Sequence, residues 1–329
     1  MKATKLGYKN ILVATDFSPA SVASLKHAVW LTRQFGCNLV LAHTLPDLHL
    51  AVHAASYKAR MDLLSGEGEI FEREIRRNSD SRLRQTIADM NATDINVKYE
   101  TLLGEAFVEI THAVQQEGYD LVLAGTRGHT KWEEFFVGGT AKRLIRKCPA
   151  SVWIVKAEHA DPPKVVLSPT DFSDVSRKAV LEGMWVAEKA NADFHLLHVM
   201  DSCDIPEAIA STSAQASANC QEVNERATQR LDEFIGTLGI DRNRIRTHLS
   251  FGTPWKEVQH LVHTLKVDLI AMGTVGRSGI QGLFLGNTAE RVLATCDCSI
   301  LTTKPDGFVS PIDPALWPLH PGPIHNEPT

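Results

Sequence analysis

Short, unbroken apolar runs alternate with longer amphipathic segments along most of the chain. In the first half these runs are rich in Val, Ile and Leu and rarely alternate with polar residues. Such runs are typical of parallel strands whose two faces are both covered by helices. The predicted strands of this half are Ile11–Thr15, Asn38–Leu45, Asn96–Leu103, Asp120–Ala124 and Ser151–Val155.

The segments between these runs carry the signals of helix ends. Ser18 and Pro19 suit the N-cap and first position of a helix, and Gly36 suits its end. Ser173 is expected to open the corresponding helix in the second half. A heavily charged segment, from about Tyr57 to Met90, predicts a long helix with a solvated face.

The chain contains two copies of one pattern. The motif TDFS occurs at Asp16 as ATDFS and again at Asp171 as PTDFS, 155 residues later. The motif GTRG at Gly125 recurs as GTVG at Gly273, 148 residues later. Repeats of this length are duplicated domains and not the short units of a solenoid.

Each copy alternates strand and helix, which predicts an α/β fold. We expect two tandem doubly wound, five-stranded parallel sheets of strand order 3-2-1-4-5, a Rossmann-like architecture. The domains are predicted at residues 1–157 and 163–305, with an extended linker between them that contains two prolines. Residues 306–329 are rich in proline and are expected to form a disordered tail.

Composition excludes several classes of protein. The chain is 43% hydrophobic and 22% charged with a net charge of −5, so it is not a disordered chain and carries no strong positive field for nucleic acid. No apolar run approaches the about 18 residues needed to span a membrane, and the start lacks a signal-peptide pattern. We therefore expect a cytoplasmic protein without a membrane span or a nucleic-acid partner.

The repeated landmarks fall where a ligand crevice is expected. In an open parallel sheet the crevice lies beyond the carboxyl ends of the strands where the winding reverses, here between strands one and four of each copy. Asp16 and Asp171 end strand one, whereas Gly125 and Gly273 end strand four. Glycine N–H groups followed by a helix N-terminus suit a phosphate group.

Three motifs together resemble the universal stress protein family in its tandem two-domain form. They are the strand-one Asp, the HT or HV after strand two, and G-x2-G-x9-G after strand four, over roughly residues 7–157 and 163–305. The resemblance implies a fold like that of the adenine nucleotide alpha hydrolases and a site for ATP or a related nucleotide with Mg²⁺. It implies binding residues Asp171, Val199, Gly273, Gly276, Arg277, Ser278, Gly286, Asn287 and Thr288 in the second copy, and Asp16, Thr44, Gly125, Gly128 and Gly138 in the first.

Both copies depart from the family pattern, which continues with Ser or Thr after the last glycine. Gly139 and Asn287 stand at that position. The loop of the first copy carries Glu133 and Glu134, whose charges would repel a triphosphate. The second copy has Arg277 in its loop, so we predict that the second copy keeps the ligand site and that the first has lost ATP.

The same residues allow structural interpretations. Gly273 and Gly276 are also what a sharp strand-to-helix turn with close packing would require. Asp16 and Asp171 could instead cap the helices that follow them.

The histidines raise a separate alternative. His43 and His198 lie in buried-strand patterns, where a core histidine is the simpler interpretation. His49 and His53 have the i, i+4 spacing that holds zinc on a helix, with His43 or His129 to complete the set.

The resemblance implies a stress-response protein that is non-catalytic or weakly catalytic, binds a phosphate-bearing ligand and signals to regulatory protein partners. The alternatives are a ligand-free dimeric scaffold, a binder of a larger amphipathic phosphate-bearing ligand, and a slow ATP hydrolase. The chain has no GxxxxGK[ST], HxGH, KMSKS, SGGxDS or GxSxG motif, so strong turnover is not expected. The resemblance also implies pairing through the last strands, Ala150–Val155 and Ser299–Thr303, as an intramolecular pseudo-dimer or a homodimer.

Overall fold

The computed structural model describes residues 7–46, 67–126, 137–200, 213–276 and 285–313. Of these, residues 8–126, 138–161 and 309–313 belong to an N-terminal unit, and residues 7, 137 and 162–308 belong to a C-terminal unit. Each unit alternates parallel strands with helices, as predicted. No helix in these described ranges is long and apolar enough to cross a membrane.

The N-terminal unit has the strand order β3-β2-β1-β4-β5, and each neighbouring pair is parallel. The predicted strands are confirmed to within one residue at each end. The elements are β1 Asn10–Thr15, α1 Pro19–Phe35, β2 Asn38–Leu45, α2 Glu67–Asp89, β3 Val97–Leu103, α3 Ala106–Glu117, β4 Leu121–Gly125, α4 Gly139–Lys147 and β5 Ser151–Val155.

The C-terminal unit repeats this arrangement with the order β8-β7-β6-β9-β10, again with parallel neighbours. The predicted order 3-2-1-4-5 therefore holds within each unit. The elements are β6 Val165–Thr170, α5 Asp174–Ala190, β7 Asp193–Met200, α6 Ser213–Leu238, β8 Ile245–Phe251, α7 Pro254–Leu265, β9 Leu269–Gly273, α8 Asn287–Thr295 and β10 Ser299–Thr303.

The first helix of each unit begins where the sequence indicates. Ser18 is the N-cap of α1 and its side chain accepts from Ser21 N, while Gly36 ends the helix at a φ of 65°. Ser173 is the N-cap of α5 in the same way. Because both helices start directly after the central strand, they pack across that strand and strand four and bury their apolar residues there.

A carboxylate at the start of strand four fixes the start of strand one in both units. Asp120 accepts hydrogen bonds from the N–H groups of Lys9, at 2.7 Å, and Asn10, at 3.2 Å. Asp268 accepts the two equivalent bonds at the start of β6, at 2.8 and 3.0 Å. Both bonds satisfy main-chain donors at the point where the chain enters the sheet, so they hold the two central strands in register.

The linker differs from the extended segment that we expected. Its first residues form a turn, in which His159 N donates to Lys156 O at 3.1 Å. His27 of α1 lies 2.6 Å from His159 O through Nε2, and its side chain is 2% exposed. A part-buried hydrogen bond thus joins the linker to α1, and the two prolines in the sequence did not predict this contact. Burial lowers the pKa of His27.

The described part of the tail, residues 306–313, contains no helix or strand but makes specific contacts. Asp306 pairs with Lys178 at 3.2 Å, and Phe308 lies under the Lys304 ammonium, which is 4.4 Å from the ring centroid. Gln115 Nε2 donates to Ile312 O at 3.1 Å. The rest of the predicted disordered tail, residues 314–329, lies outside the described residues.

We predict that Asp268→Ala lowers the free energy of unfolding of the C-terminal unit by about 1–3 kcal/mol, because two main-chain donors lose a charged acceptor. Asp120→Ala should cost a similar amount in the N-terminal unit. Urea unfolding followed by circular dichroism measures both changes. Gln116→Ala, at an exposed position of α3, is the control and should leave the transition unchanged; equal losses in all three variants would contradict the assignment.

Candidate functional site

The turn after the central strand is built in the same way in both units. Asp16 Oδ1 accepts from Ser18 N at 3.0 Å, and Asp171 Oδ1 accepts from Ser173 N at 3.0 Å and from Ser173 Oγ at 2.6 Å. The interpretation of the aspartates as helix caps is therefore wrong, because the serines cap the helices and the aspartates orient the serines. This short-range bond is possible because the Asp precedes the cap residue by two positions.

A strained phenylalanine stands between the Asp and the Ser. Phe17 and Phe172 have φ values of 63° and 66°, which bulky side chains rarely adopt. The sequence analysis assigned no role to either phenylalanine, although the duplicated TDFS motif contains it. Strain at the same position in both units indicates that the surrounding contacts hold this turn in one conformation.

Those contacts form a stack of three side chains in each unit. Phe17 packs on the His43 ring at 4.6 Å, and the Arg82 guanidinium lies 4.1 Å from its centroid. Phe172 packs on the His198 ring at 4.2 Å, with Arg230 at 5.0 Å. Ring stacking and the cation–π contact together offset the strain of the backbone. The arginines were also missed, since nothing near them in the sequence marks them as partners of the turn.

The histidine at the end of the second strand is tied to the end of the first. His43 Nδ1 donates to Thr15 O at 2.7 Å, and His198 Nδ1 donates to Thr170 O at 2.9 Å. The core interpretation holds for His198, which is 4% exposed, whereas His43 is half-buried. Each bond joins strands one and two at the edge where Thr44 and Val199 lie, both half-buried.

Two of the predicted glycines are required by packing. A Cβ on Gly125 would lie 2.7 Å from the backbone of α1, at Ala20 C and Ser21 N. A Cβ on Gly273 would lie 2.8 Å from Val175 Cγ1. The end of strand four can therefore approach the first helix only without a side chain, and the glycines serve this contact whatever the crevice binds.

Gly276 and Gly286 face the crevice itself. A Cβ on Gly276 would lie 2.8 Å from Asp171 Oδ2, whose other oxygen holds the turn. A Cβ on Gly286 would lie 3.9 Å from Gly276 N, and Gly286 N donates to Thr274 O at 2.8 Å. The spacing G-x2-G-x9-G thus brings the ends of strands one and four and the start of α8 to one place.

The helix after each glycine motif begins without a side-chain cap. Gly138 is the N-cap of α4 and Gly286 that of α8, and neither provides a side chain to the first turn. Thr140 and Asn287 are exposed there, and Thr288 is half-buried. The partial positive charge of such a helix start favours an anion.

Comparison with known proteins agrees with this architecture. The profile of the universal stress protein family matches residues 7–156 and 163–304. The chain belongs to this family. As a universal stress protein it is a member of a family of stress-response proteins, built from two family domains in tandem.

Two relatives match this chain over almost its whole length. The chain is 26% identical over 318 residues to Universal stress protein E of Photorhabdus laumondii, covering 94% of this chain and 98% of the relative. It is 25% identical over 315 residues to Universal stress protein E of Escherichia coli K12, covering 93% and 97%. A putative universal stress protein from Pseudomonas aeruginosa UCBPP-PA14 has the same fold, with a TM-score of 0.62 at 18% identity over 91% of this chain and 94% of that one.

Several predicted residues of this universal stress protein lie outside the described residues. They are Gly128 in the first copy, and Arg277 and Ser278 in the second. Glu133 and Glu134, which motivated the preference for the second copy, lie outside as well. Their part in the site stays a prediction from the sequence.

Most histidines of the zinc hypothesis also lie outside the described residues. His49, His53 and His129 lie outside the described residues, while His43 uses Nδ1 for Thr15 O. Within the described ranges, no three His, Cys, Asp or Glu side chains are grouped as they would be around a metal ion.

The sequence analysis did not identify one difference in charge between the two copies. Glu290 lies in the first turn of α8, at the position that Lys142 occupies in α4. A carboxylate there disfavours an anion at the start of α8. It opposes the favourable charge that Arg277 contributes in the sequence of the same loop.

We predict that Gly125→Ala lowers the free energy of unfolding by about 1–3 kcal/mol, because the new methyl group meets backbone atoms that cannot move away. Gly139→Ala in the same unit is the matched control, since nothing lies within 4 Å of its Cβ. Thermal unfolding followed by calorimetry compares them. A control as destabilised as Gly125→Ala would show that the contact with α1 does not set the cost.

Proposed function

We propose that this universal stress protein binds ATP or another phosphate-bearing ligand, with Mg²⁺ where the ligand is a nucleotide, mainly in its second copy. Binding is read by protein partners and is not followed by rapid turnover. The observation that carries the proposal is the meeting of Asp171 and Gly276 where strands one and four end, beside the uncapped start of α8. Ligands of open α/β sheets bind at this switch point.

The main-chain geometry supports a phosphate. The α8 helix start has no side-chain cap, whereas the starts of α1 and α5 are each capped by a serine. The starts of α3 and α7 also lack a side-chain cap, but the start of α8 is the one that follows the glycine motif at the end of strand four. An anion is the partner that both the N–H groups and the helix dipole favour.

The charged residues in the sequences of the two glycine loops favour the second copy. Arg277 directly follows Gly276 in the sequence, so it is the nearest cation along the chain to the proposed phosphate position. Glu290 opposes it but is exposed, so water and salt screen its charge. The equivalent loop of the first copy places Glu133 and Glu134 where the second copy has neutral residues.

A thermal shift tests the proposal directly. At a concentration about 100 times its dissociation constant, Mg-ATP that binds only the folded state stabilises its domain by about 2.7 kcal/mol, a melting shift of several degrees. Differential scanning calorimetry and native mass spectrometry of the purified protein are the measurements. A protein that shows neither a shift nor bound nucleotide would refute nucleotide binding, and parallel titrations with pyrophosphate and inorganic phosphate test the wider ligand class.

Matched variants locate the site. Asp171→Asn keeps the size of the side chain and an acceptor for Ser173 but removes the charge beside Gly276. We expect it to weaken Mg-ATP binding at least tenfold in calorimetric titration, whereas Asp16→Asn, the equivalent change in the first copy, leaves the affinity unchanged. The reverse result would assign the site to the first copy.

A further inference from the structure

The C-terminal unit contains a pair of imidazoles between the edge strand β8 and its neighbour β7. His195 on β7 and His248 on β8 approach through Nδ1 and Nε2 at 2.8 Å, with their ring planes 22° apart. His195 is 4% exposed and His248 is half-buried. The pair therefore joins the edge strand of this unit to its neighbour through side chains, in addition to the main-chain ladder.

The proton count of the pair decides whether this bond exists. Two neutral imidazoles form it, because one nitrogen donates and the other accepts. One added proton leaves a lone pair on the second ring, so the bond remains. With a proton on every nitrogen, two N–H groups face each other at 2.8 Å and two positive charges repel. Full protonation is therefore incompatible with the contact.

The surroundings oppose protonation in the folded state. Burial lowers the pKa of His195, and the charges of His248 and Arg246 lower it further, whereas Asp193 raises it. Burial also lowers the pKa of His248. Since Arg246 and Asp193 pair with each other at 3.0 Å, their opposing effects on His195 partly cancel.

Among the described residues, the charged groups of the helices packed against β7 do not contribute to the pKa shift of either imidazole. α7 carries Lys256, Glu257, His260 and His263, and on α5 the charged groups are Asp174, Arg177, Lys178, Glu182, Glu188 and Lys189. Desolvation and the pair's own repulsion thus dominate the cost of charging it.

These pKa shifts determine how the stability contributed by the histidine pair depends on pH. Both pKa values in the closed state lie below the ordinary value of 6.5. An open state with hydrated imidazoles binds protons more tightly, so the stability contributed by the pair is present above about pH 6.5 and is lost as the pH falls below it. Because the two groups interact, they titrate as a pair.

The N-terminal unit has different residues at the positions equivalent to His195 and His248. Glu100 on β3 stands 148 positions before His248, and Val40 stands 155 positions before His195. Glu100 is 4% exposed and pairs with Lys98 at 2.9 Å. Burial and the charge of Glu100 raise the pKa of Tyr119. In the first copy Glu100 thus interacts with Lys98 of its own strand and with Tyr119, and the described residues of that copy have no imidazole pair at these positions.

We propose that the His195–His248 pair is a proton-sensitive latch that holds β8 on β7 near neutral pH and releases it in mild acid. β7 also carries His198 and Val199, which lie opposite Leu249 and Ser250 of β8. Release frees the main-chain groups of β7 along its outer side, where another extended segment can pair with them.

Hydrogen exchange of the full-length protein tests the latch. Exchange rates of peptides covering residues 245–251 are compared at about pH 7 and pH 5 after correction for intrinsic exchange, with peptides covering residues 97–103 as the internal reference. We expect protection of β8 to fall at least tenfold in acid while that of β3 changes less than twofold. Unchanged β8 protection, or an equal loss in both strands, would overturn the proposal.

Paired variants separate the latch from general acid sensitivity. His195→Asn with His248→Gln replaces the imidazoles by amides that can hydrogen-bond but do not titrate, and should abolish the extra loss in β8. His260→Gln with His263→Gln removes two exposed imidazoles of α7 and should retain it. If the amide pair does not fold, NMR titration of the wild-type histidines decides: normal, independent pKa values for both rings would refute the latch, and coupled values below 6.5 would support it.

Discussion

The confined exit of the central strand is the constraint on which the rest of each unit depends. β1 and β6 lie between two parallel neighbours, so the chain can leave the sheet only at its carboxyl edge and must turn at once into a covering helix. The turn is held by an aspartate that orients the cap serine and by a phenylalanine at positive φ. Its shape sets where the aspartate lies relative to the glycines of strand four, and thereby the shape of the crevice.

The two copies have the same residue type at positions where the side chain hydrogen-bonds to the main chain. Asp120 and Asp268 bind the same pair of main-chain donors, and His43 and His198 donate to the same carbonyl position. Loss of such a partner would leave a main-chain group without its hydrogen bond, which is costly to the extent that the group is buried. The copies differ where side chains contact one another, since Glu100 stands in the first copy at the position that His248 occupies in the second.

The glycine motif combines two physical roles that spacing does not distinguish. Gly125 and Gly273 make room for the first helix, and they would be needed in a protein that binds nothing. Gly276 makes room for a carboxylate in the crevice, and Gly286 starts a helix that lacks a side-chain cap. Gly276 and Gly286, and not the motif as a whole, therefore support a ligand site.

Local pattern and repetition in the sequence determined the strands, the caps at Ser18 and Ser173, the duplication and the strand order, because periodicity and capping act over a few residues and parallel α/β units have few topologies. Only the tertiary structure revealed three contacts: that of Arg82 with the Phe17 ring, the hydrogen bond between His27 and the linker, and the His195–His248 contact. Each of these joins residues far apart in the chain, and whether two side chains meet depends on strand register and helix packing, which a single sequence does not display.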